Sequence, residues 1–475
     1  MSFLVNASAG EGLQTSLIIN AVSYYLAHPT MANFIHDKSQ ECAKSELDIF
    51  TIPPTQTSVE KGSLIPYQPI ASITDGGPVE FYIPGAGDEY IDLAQTQLYI
   101  RAKITNADGS NLAADAPVGP VNLFLHSLFS QVDVSLNERL ITASTPTYPY
   151  RAMIETLLSY GHDAKHSQLS SALYFKDTAG NMDVVNPTIA DDADPNVGLK
   201  SRYEFTQRSR VVDMIGRIHS DIFFQNKYLL NGVNMKIKLI RSKNEFCLVS
   251  SEQVPDYRVH ILEATLFVRR MKLSPSIQLG HSRALERGNA KYPVRRVLCK
   301  MMSVPAGNMT LTQDHVFLGS LPNRIVIGCV DNTAFNGSFT RNPFNFEHYN
   351  VTSVAIHVDG EQIPSKPLRP TFQGPSRNYV RAYHTLFSGT NKMFEDQGNE
   401  ISRSDYGNGY TLYAFDLTPD LTCGGHFNLQ KQGNLRLEIN FGQALARTIN
   451  VIVYAEFENI IEIDRARNIV FDYTS

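Results

Sequence analysis

Apolar and polar positions alternate through two stretches of the chain that echo one another, FLHSLFSQVDVSLNERLI at 124–141 and FEHYNVTSVAIHVDGEQI at 346–363. Phe124 answers Phe346, His126 answers His348, Val132 answers Val354, Val134 answers Ile356, Leu136 answers Val358 and Ile141 answers Ile363, each pair 222 positions apart with no gap. Val132, Val134 and Leu136 share one parity against Asp133, Ser135 and Asn137, and Val354, Ile356 and Val358 do the same in the second stretch. A period of two predicts a strand with one buried face, here running into a turn.

The echo continues downstream. YPYRAMIETLLSYG from Tyr148 and NYVRAYHTLFSG from Asn378 match Arg151-Ala152 with Arg381-Ala382, and their apolar residues fall at helical spacing. NMKIKLI from Asn234 and NLRLEIN from Asn434 alternate again, as strands do. Three blocks recurring in one order predict a duplicated β-rich domain. The first copy runs 82 positions from Ala152 to Asn234, where the second needs 52 from Ala382 to Asn434, so copy one carries an extra loop.

The remaining pattern sets the expected boundaries. Residues 1–70 read as an N-terminal arm and extended lead-in, with an apolar run at 16–27 too short to span a bilayer and lacking a basic segment before it. Residues 71–273 hold the first domain, with hairpin strands at 79–83 and 90–104, strands at 221–225, 234–240 and 257–273, and the long loop at 161–219. Residues 274–290, with Pro275 near the start, predict a connecting helix. Residues 291–475 hold the second domain, strand reappearing at each matching stage, and a tail whose apolar cluster at 469–473 can join a sheet. About eight strands per half with long loops predict an all-β chain of two tandem jelly-roll sandwiches with a few short helices.

Composition narrows the function. A chain of 475 residues exceeds the roughly 250–300 residues over which one core keeps growing, so two cores are expected. A net charge of −5 argues against a surface built to neutralise nucleic-acid phosphates. Cys42, Cys247, Cys299, Cys329 and Cys423 are odd in number and form no CxxC pair, which fits reduced thiols in a protein made inside the cell.

Chemistry is sparse. His162 and His166 in GHDAKH have the spacing of two ligands on a helical face, yet no glutamate stands between them as in HExxH, and a solvated loop after a helix is the expectation. Asp191, Asp192 and Asp194 with Asn186 and Asn196 lack the spacing of a calcium loop and read as a surface turn. His126 and His348 read as hydrogen-bonded scaffold histidines, because a position shared by both copies is most simply structural. The pairs Arg269-Arg270 and Arg295-Arg296 are the candidates for an electropositive patch. No catalytic, cofactor-binding or metal site is expected. The residues expected to matter are scaffold ones: Val132, Val134, Val354 and Ile356 in the repeated strand, and the matched Arg151 and Arg381, read as salt-bridging or solvent-exposed.

The runs SLIPYQPIASITDGGPVEFYIPGAGDEYIDLAQTQLYIRAKIT (63–105) and YPYRAMIETLLSYGHDAKHSQLSSALYFKDT (148–178) resemble the double-jelly-roll major capsid proteins of adintoviruses and the related Maverick/Polinton elements, over about residue 31 to the C-terminus. The resemblance implies a hexon-like, non-enzymatic protein. Its chains would form homotrimers of pseudo-hexagonal outline that tile an icosahedral capsid around double-stranded DNA, with minor and penton capsid proteins as partners, no transmembrane segment, and no specific nucleic-acid binding. Location in the virion follows, with synthesis in the host cell and assembly in nucleus or cytoplasm. Loop 161–219 would then form an exposed tower. The competing readings are a glycan-binding or glycan-processing double sandwich, which wants a secretory signal and aromatic platforms that a chain without Trp does not advertise, and a domesticated capsid homologue that no longer assembles.

Overall fold

Long alternating runs become long strands. The computed structural model describes residues 36, 38, 39, 42, 44–73, 76–85, 87–189, 195–421 and 426–470. The run at 16–27, Asp191, Asp192, Asp194, Cys423 and residues 471–473 lie outside the described residues. Residues 1–56 and 57–475 are separate units. In the first, Ser45–Leu47 form one 3-10 turn, and Leu47, Ile49, Phe50 and Ile52 are exposed.

The second unit begins with β1 (Val59–Tyr67), β2 (Val79–Ile83), β3 (Glu89–Asn106), β4 (Val118–Pro120), β5 (Phe129–Leu136), β6 (Arg139–Leu140), β7 (Val212–Arg217), β8 (Met235–Arg241), β9 (Leu248–Ser250) and β10 (Tyr257–Leu273). Helices α1 (Tyr148–Ser159), α2 (His162–His166) and α3 (Val197–Thr206) lie between β6 and β7, and α4 (Pro275–Leu285) follows β10. Then come β11 (Ala290–Val304), β12 (Thr310–Gln313), β13 (Arg324–Asp331), β14 (Val351–Val358), β15 (Glu361–Leu368), α5 (Val380–Ser388), β16 (Leu412–Asp416), β17 (Leu435–Phe441), β18 (Ile449–Ile463) and β19 (Ile469–Val470).

The sheets are antiparallel, with orders β1-β10-β3-β7 and β2-β8-β5-β6 in the first half, and β11-β18-β13-β16 and β12-β17-β14-β15 in the second. Setting aside the two-stranded β4-β9 pair and β19, each half follows the same plan. Of eight strands in chain order, the first, eighth, third and sixth make one sheet, and the second, seventh, fourth and fifth make the other. This is the double jelly roll, the fold that the sequence pattern predicts.

The repeat persists to the register. Val132 faces Leu239 and Val134 faces Ile237, and at the matched positions Val354 faces Ile439 and Ile356 faces Leu437. A bulge interrupts β5 between Phe129 and Gln131 and β14 between Val351 and Ser353, again 222 positions apart. Both hairpins turn through positive φ, at Asn137 (44°) and Glu138 (66°) in one copy and at Asp359 (52°) and Gly360 (88°) in the other, as a two-residue hairpin of primed type requires. Asn137 Oδ1 accepts the Asn234 amide at 2.8 Å, and Asp359 Oδ1 accepts the Asn434 amide at 2.8 Å. Small differences in the two sequences thus leave one local solution intact.

Four expectations change. β2 and β3, expected as one hairpin, lie in different sheets, β2 paired with β8 and β3 with β10 and β7. The lead-in before residue 71 supplies β1, an edge strand paired with β10 from Val59↔Leu273 to Tyr67↔Leu266; Gly62 and Pro66 hid it, and proline is tolerated on an edge. Residues 221–225, expected as a strand, include the 3-10 turn Asp221–Phe224. The stretch 161–219, expected as a loop forming a tower, contains two helices and core strand β7, which pairs with β3.

Candidate functional site

Val134 and Val354 are fully buried, Ile356 is nearly so, and Val132 is 6 % exposed, so all four expected scaffold residues sit in the cores of their rolls. The matched arginines diverge. Arg381 on α5 is exposed and donates to the Lys366 and Pro367 carbonyls, at 3.0 and 3.3 Å. Arg151 on α1 is enclosed between the two rolls, because α1 packs on β5 with one side and on β11 and β18 with the other.

An ionic seam grows from Arg151. Its Nε lies 2.9 Å from Glu155 Oε1 and its Nη2 lies 2.7 Å from Asp221 Oδ1, which also accepts the Val297 amide of β11 at 3.1 Å. Glu155 Oε2 meets His219 Nδ1 at 2.5 Å. From the second roll, Tyr454 donates to Glu456 at 3.0 Å and lies 3.4 Å from Glu155. Arg324 then holds Glu456 at 3.2 Å, and Arg295 stands 3.7 Å from it. Burial alone would push the Glu155 carboxyl up, but Arg151 and His219 outweigh it and hold the group down at about 2. Beside the seam opens a cleft of about 310 Å³ lined by Glu155, Arg295, Arg324, Lys392, Tyr454 and Glu456.

A second set of contacts comes from the stretch between α2 and β7. Arg202 on α3, 1 % exposed, donates to the Pro120 carbonyl (2.9 Å), the Phe175 carbonyl (2.7 Å) and Asp177 Oδ1 (2.7 Å). Asp177 Oδ2 accepts from Asn342 of the second roll at 3.0 Å, and the Asp177 carbonyl accepts from Tyr410 at 2.6 Å. Asp183 meets Arg341 at 3.0 Å and Asn345 at 3.1 Å, and Lys176 meets Asp405 at 2.8 Å. Gly198 allows α3 to approach so closely that a Cβ there would stand 2.4 Å from the Lys176 carbonyl oxygen. Lys176, Asp177 and Asp183 of this stretch therefore clamp onto the second roll. Asn196, read as part of an acidic surface turn, accepts the Thr178 amide at 3.0 Å and caps α3.

The matched histidines are scaffold groups. His126, 2 % exposed, contacts the Tyr148 hydroxyl at 2.9 Å and packs edge-on to His219, and burial with the neighbouring His219 lowers its pKa well below the usual imidazole range. His348 accepts the Asn350 amide at 2.8 Å and stacks on Phe372 with ring centroids 4.3 Å apart. One arginine of each pair is buried and the other exposed. Arg270 is buried and donates to Tyr67 and the Pro84 carbonyl, Arg296 is buried, and Arg269 and Arg295 are exposed.

His162 and His166 do sit four apart on a helix, as the spacing suggests, with ring centroids 4.0 Å apart. They are not on a solvated loop alone. Glu400 Oε1 of the second roll lies 3.3 Å from His162 Nδ1 and 3.6 Å from His166 Nδ1. Nothing local to GHDAKH signals that partner, which lies 238 residues beyond His162.

Comparison with known proteins gives the same architecture. A cryo-EM structure of the Sputnik virophage contains a chain matching 93 % of this one and 95 % of its own length, with TM-score 0.65 and 11 % identity. The Faustovirus major capsid protein matches with TM-score 0.53, 9 % identity and coverage of 97 % and 100 %. The mavirus major capsid protein matches with TM-score 0.50, 12 % identity and coverage of 94 % and 97 %. In sequence, an uncharacterized protein of Caenorhabditis elegans, F54H12.2, is 25 % identical over 438 residues, 89 % of this chain and 99 % of its own. No family model matches.

Proposed function

We propose that this chain is a major capsid subunit of the adintovirus or Maverick/Polinton type, self-associating into a trimer of pseudo-hexagonal outline that tiles an icosahedral shell. The observation that carries the reading is the paired plan: two copies of one eight-strand topology, alike down to bulge and turn, joined by a buried ionic seam. Three such chains present six similar lobes, which lets a three-fold particle fill a six-fold lattice position with one gene product. The likeness to capsid proteins in fold supports the same role. No helix among the described residues is long and apolar enough to cross a membrane. Leu318, Phe427 and Leu429 of the second roll are large, apolar and exposed, and are our candidates for contact with another copy.

The nematode relative raises, without favouring, a second reading, a copy resident in an animal genome that folds without building shells. Light scattering of the purified full chain, followed by negative-stain imaging, separates the two. A mass near three times 53.0 kDa with hexagonal outlines, closing into shells at raised concentration, supports the capsid role. Trimers that never close under any salt or pH favour the resident copy, and a clean monomer overturns the capsid role.

A further inference from the structure

The imidazoles of His162 and His166 and the carboxylate of Glu400 stand together on the surface where α2 of the first roll meets the second, outside the Arg151 seam. One donor atom from each of the three lies within 4.8 Å of the other two. Donors around a tetrahedral ion with bonds of about 2.0–2.1 Å stand roughly 3.3 Å apart, and His162 Nδ1 stands 3.3 Å from Glu400 Oε1. We propose that these three residues hold a zinc ion, or a like divalent transition metal ion, that ties the first jelly roll to the second.

Two further observations point to a cation. Glu400 Oε2 is buried with no hydrogen-bond partner, a state that costs free energy unless something compensates it. His166 Nδ1 lies 3.0 Å from the His162 carbonyl oxygen, and an imidazole that donates there turns its other ring nitrogen into a metal ligand of fixed orientation. The backbone is set for the purpose. Glu400 adopts φ of 61°, held by Lys176 Nζ at 2.5 Å from its carbonyl oxygen, while Lys165 Nζ is engaged by the Leu157 and Asn399 carbonyls. Neither ammonium hydrogen-bonds the carboxylate. The imidazoles are 67 % and 56 % exposed, so a fourth position is open to water. Two imidazoles and one carboxylate suit zinc better than calcium or magnesium, which prefer oxygen-only sets.

The test uses the full chain, stripped with a chelator and dialysed against buffered free zinc, with bound metal counted by mass spectrometry and thermal unfolding followed in parallel. One zinc per chain at micromolar free ion, with a Tm that rises on zinc and falls back with chelator, is the expected result. The double variant His162→Ala/His166→Ala removes both effects, and Glu400→Gln weakens binding about tenfold or more. Both histidines are exposed, so these variants keep the fold, which circular dichroism checks. No uptake at tens of micromolar zinc overturns the proposal, as does undiminished uptake by the double variant, which puts the metal elsewhere. Neither outcome depends on whether the chain assembles.

Discussion

A charge that is removed from water must be answered by its surroundings, and Arg202 and its partner Asp177 are the most thoroughly enclosed examples among the described residues. The Arg202 guanidinium satisfies two carbonyls and one Asp177 oxygen at 1 % exposure. Arg202→Met keeps the volume but leaves Asp177 with only Asn342, so a loss of about 3–5 kcal/mol is expected in urea unfolding. Arg202→Met/Asp177→Asn should recover part of it, and a single-variant loss under about 1 kcal/mol would mean that the carboxylate finds another donor. The same residue marks the limit of local sequence reading. Val132, Val134, Val354 and Ile356 announce their burial through parity with their neighbours, whereas Arg202 stands in RYEFTQRSR with nothing to distinguish it from a solvated arginine. Arg151 and Arg381 share a motif, yet one is enclosed and the other exposed, because their surroundings come from distant parts of the chain. Glu400 was invisible as a partner of GHDAKH for the same reason.

At the scale of elements, the repeat turns one roll into a control for the other. Glu138 and Gly360 occupy the same position in matched hairpin turns, with φ of 66° and 88°. A side chain in the left-handed region costs about 1–2 kcal/mol, partly offset by the freedom a glycine adds to the unfolded chain. Glu138→Gly should therefore raise stability by about 0.5–1 kcal/mol, read as a higher Tm; a fall would show that the Glu138 side chain contributes more than its strained backbone costs. Elements with a clean period were legible from the sequence: β5 and β14, β8 and β17, α1 and α5. Those whose period is broken were not. β1 carries Gly62 and Pro66, and β7 follows a stretch in which Lys165, Asp177 and Arg202 are buried although polar, so its composition reads as loop.

Across the whole molecule, the seam makes the union of the two rolls sensitive to acid. Glu155 is held down at about 2, below an ordinary value near 4.5, by Arg151 and His219 acting against burial. For a carboxyl depressed in the folded state, the stabilisation is complete above the unfolded pKa and is lost as pH falls through the folded one. Tm should thus decline between about pH 4.5 and 2, and Arg151→Met should flatten that decline while lowering Tm at neutral pH. A parallel decline in both proteins would exclude the seam as its source.

The clamp at Lys176, Asp177 and Asp183 also bears on how the chain is made. Asp177 leaves the ribosome 165 residues ahead of Asn342, and 233 ahead of Tyr410, which complete its hydrogen bonds. At about 5–20 residues per second, that interval lasts on the order of ten seconds or more. In its later part, once β10 has emerged, the first roll has all eight strands of its two sheets and carries a polar face that nothing has yet covered. The nascent first half is therefore finished as a sandwich but unfinished as a partner, and the arrival of the second half is what seals it.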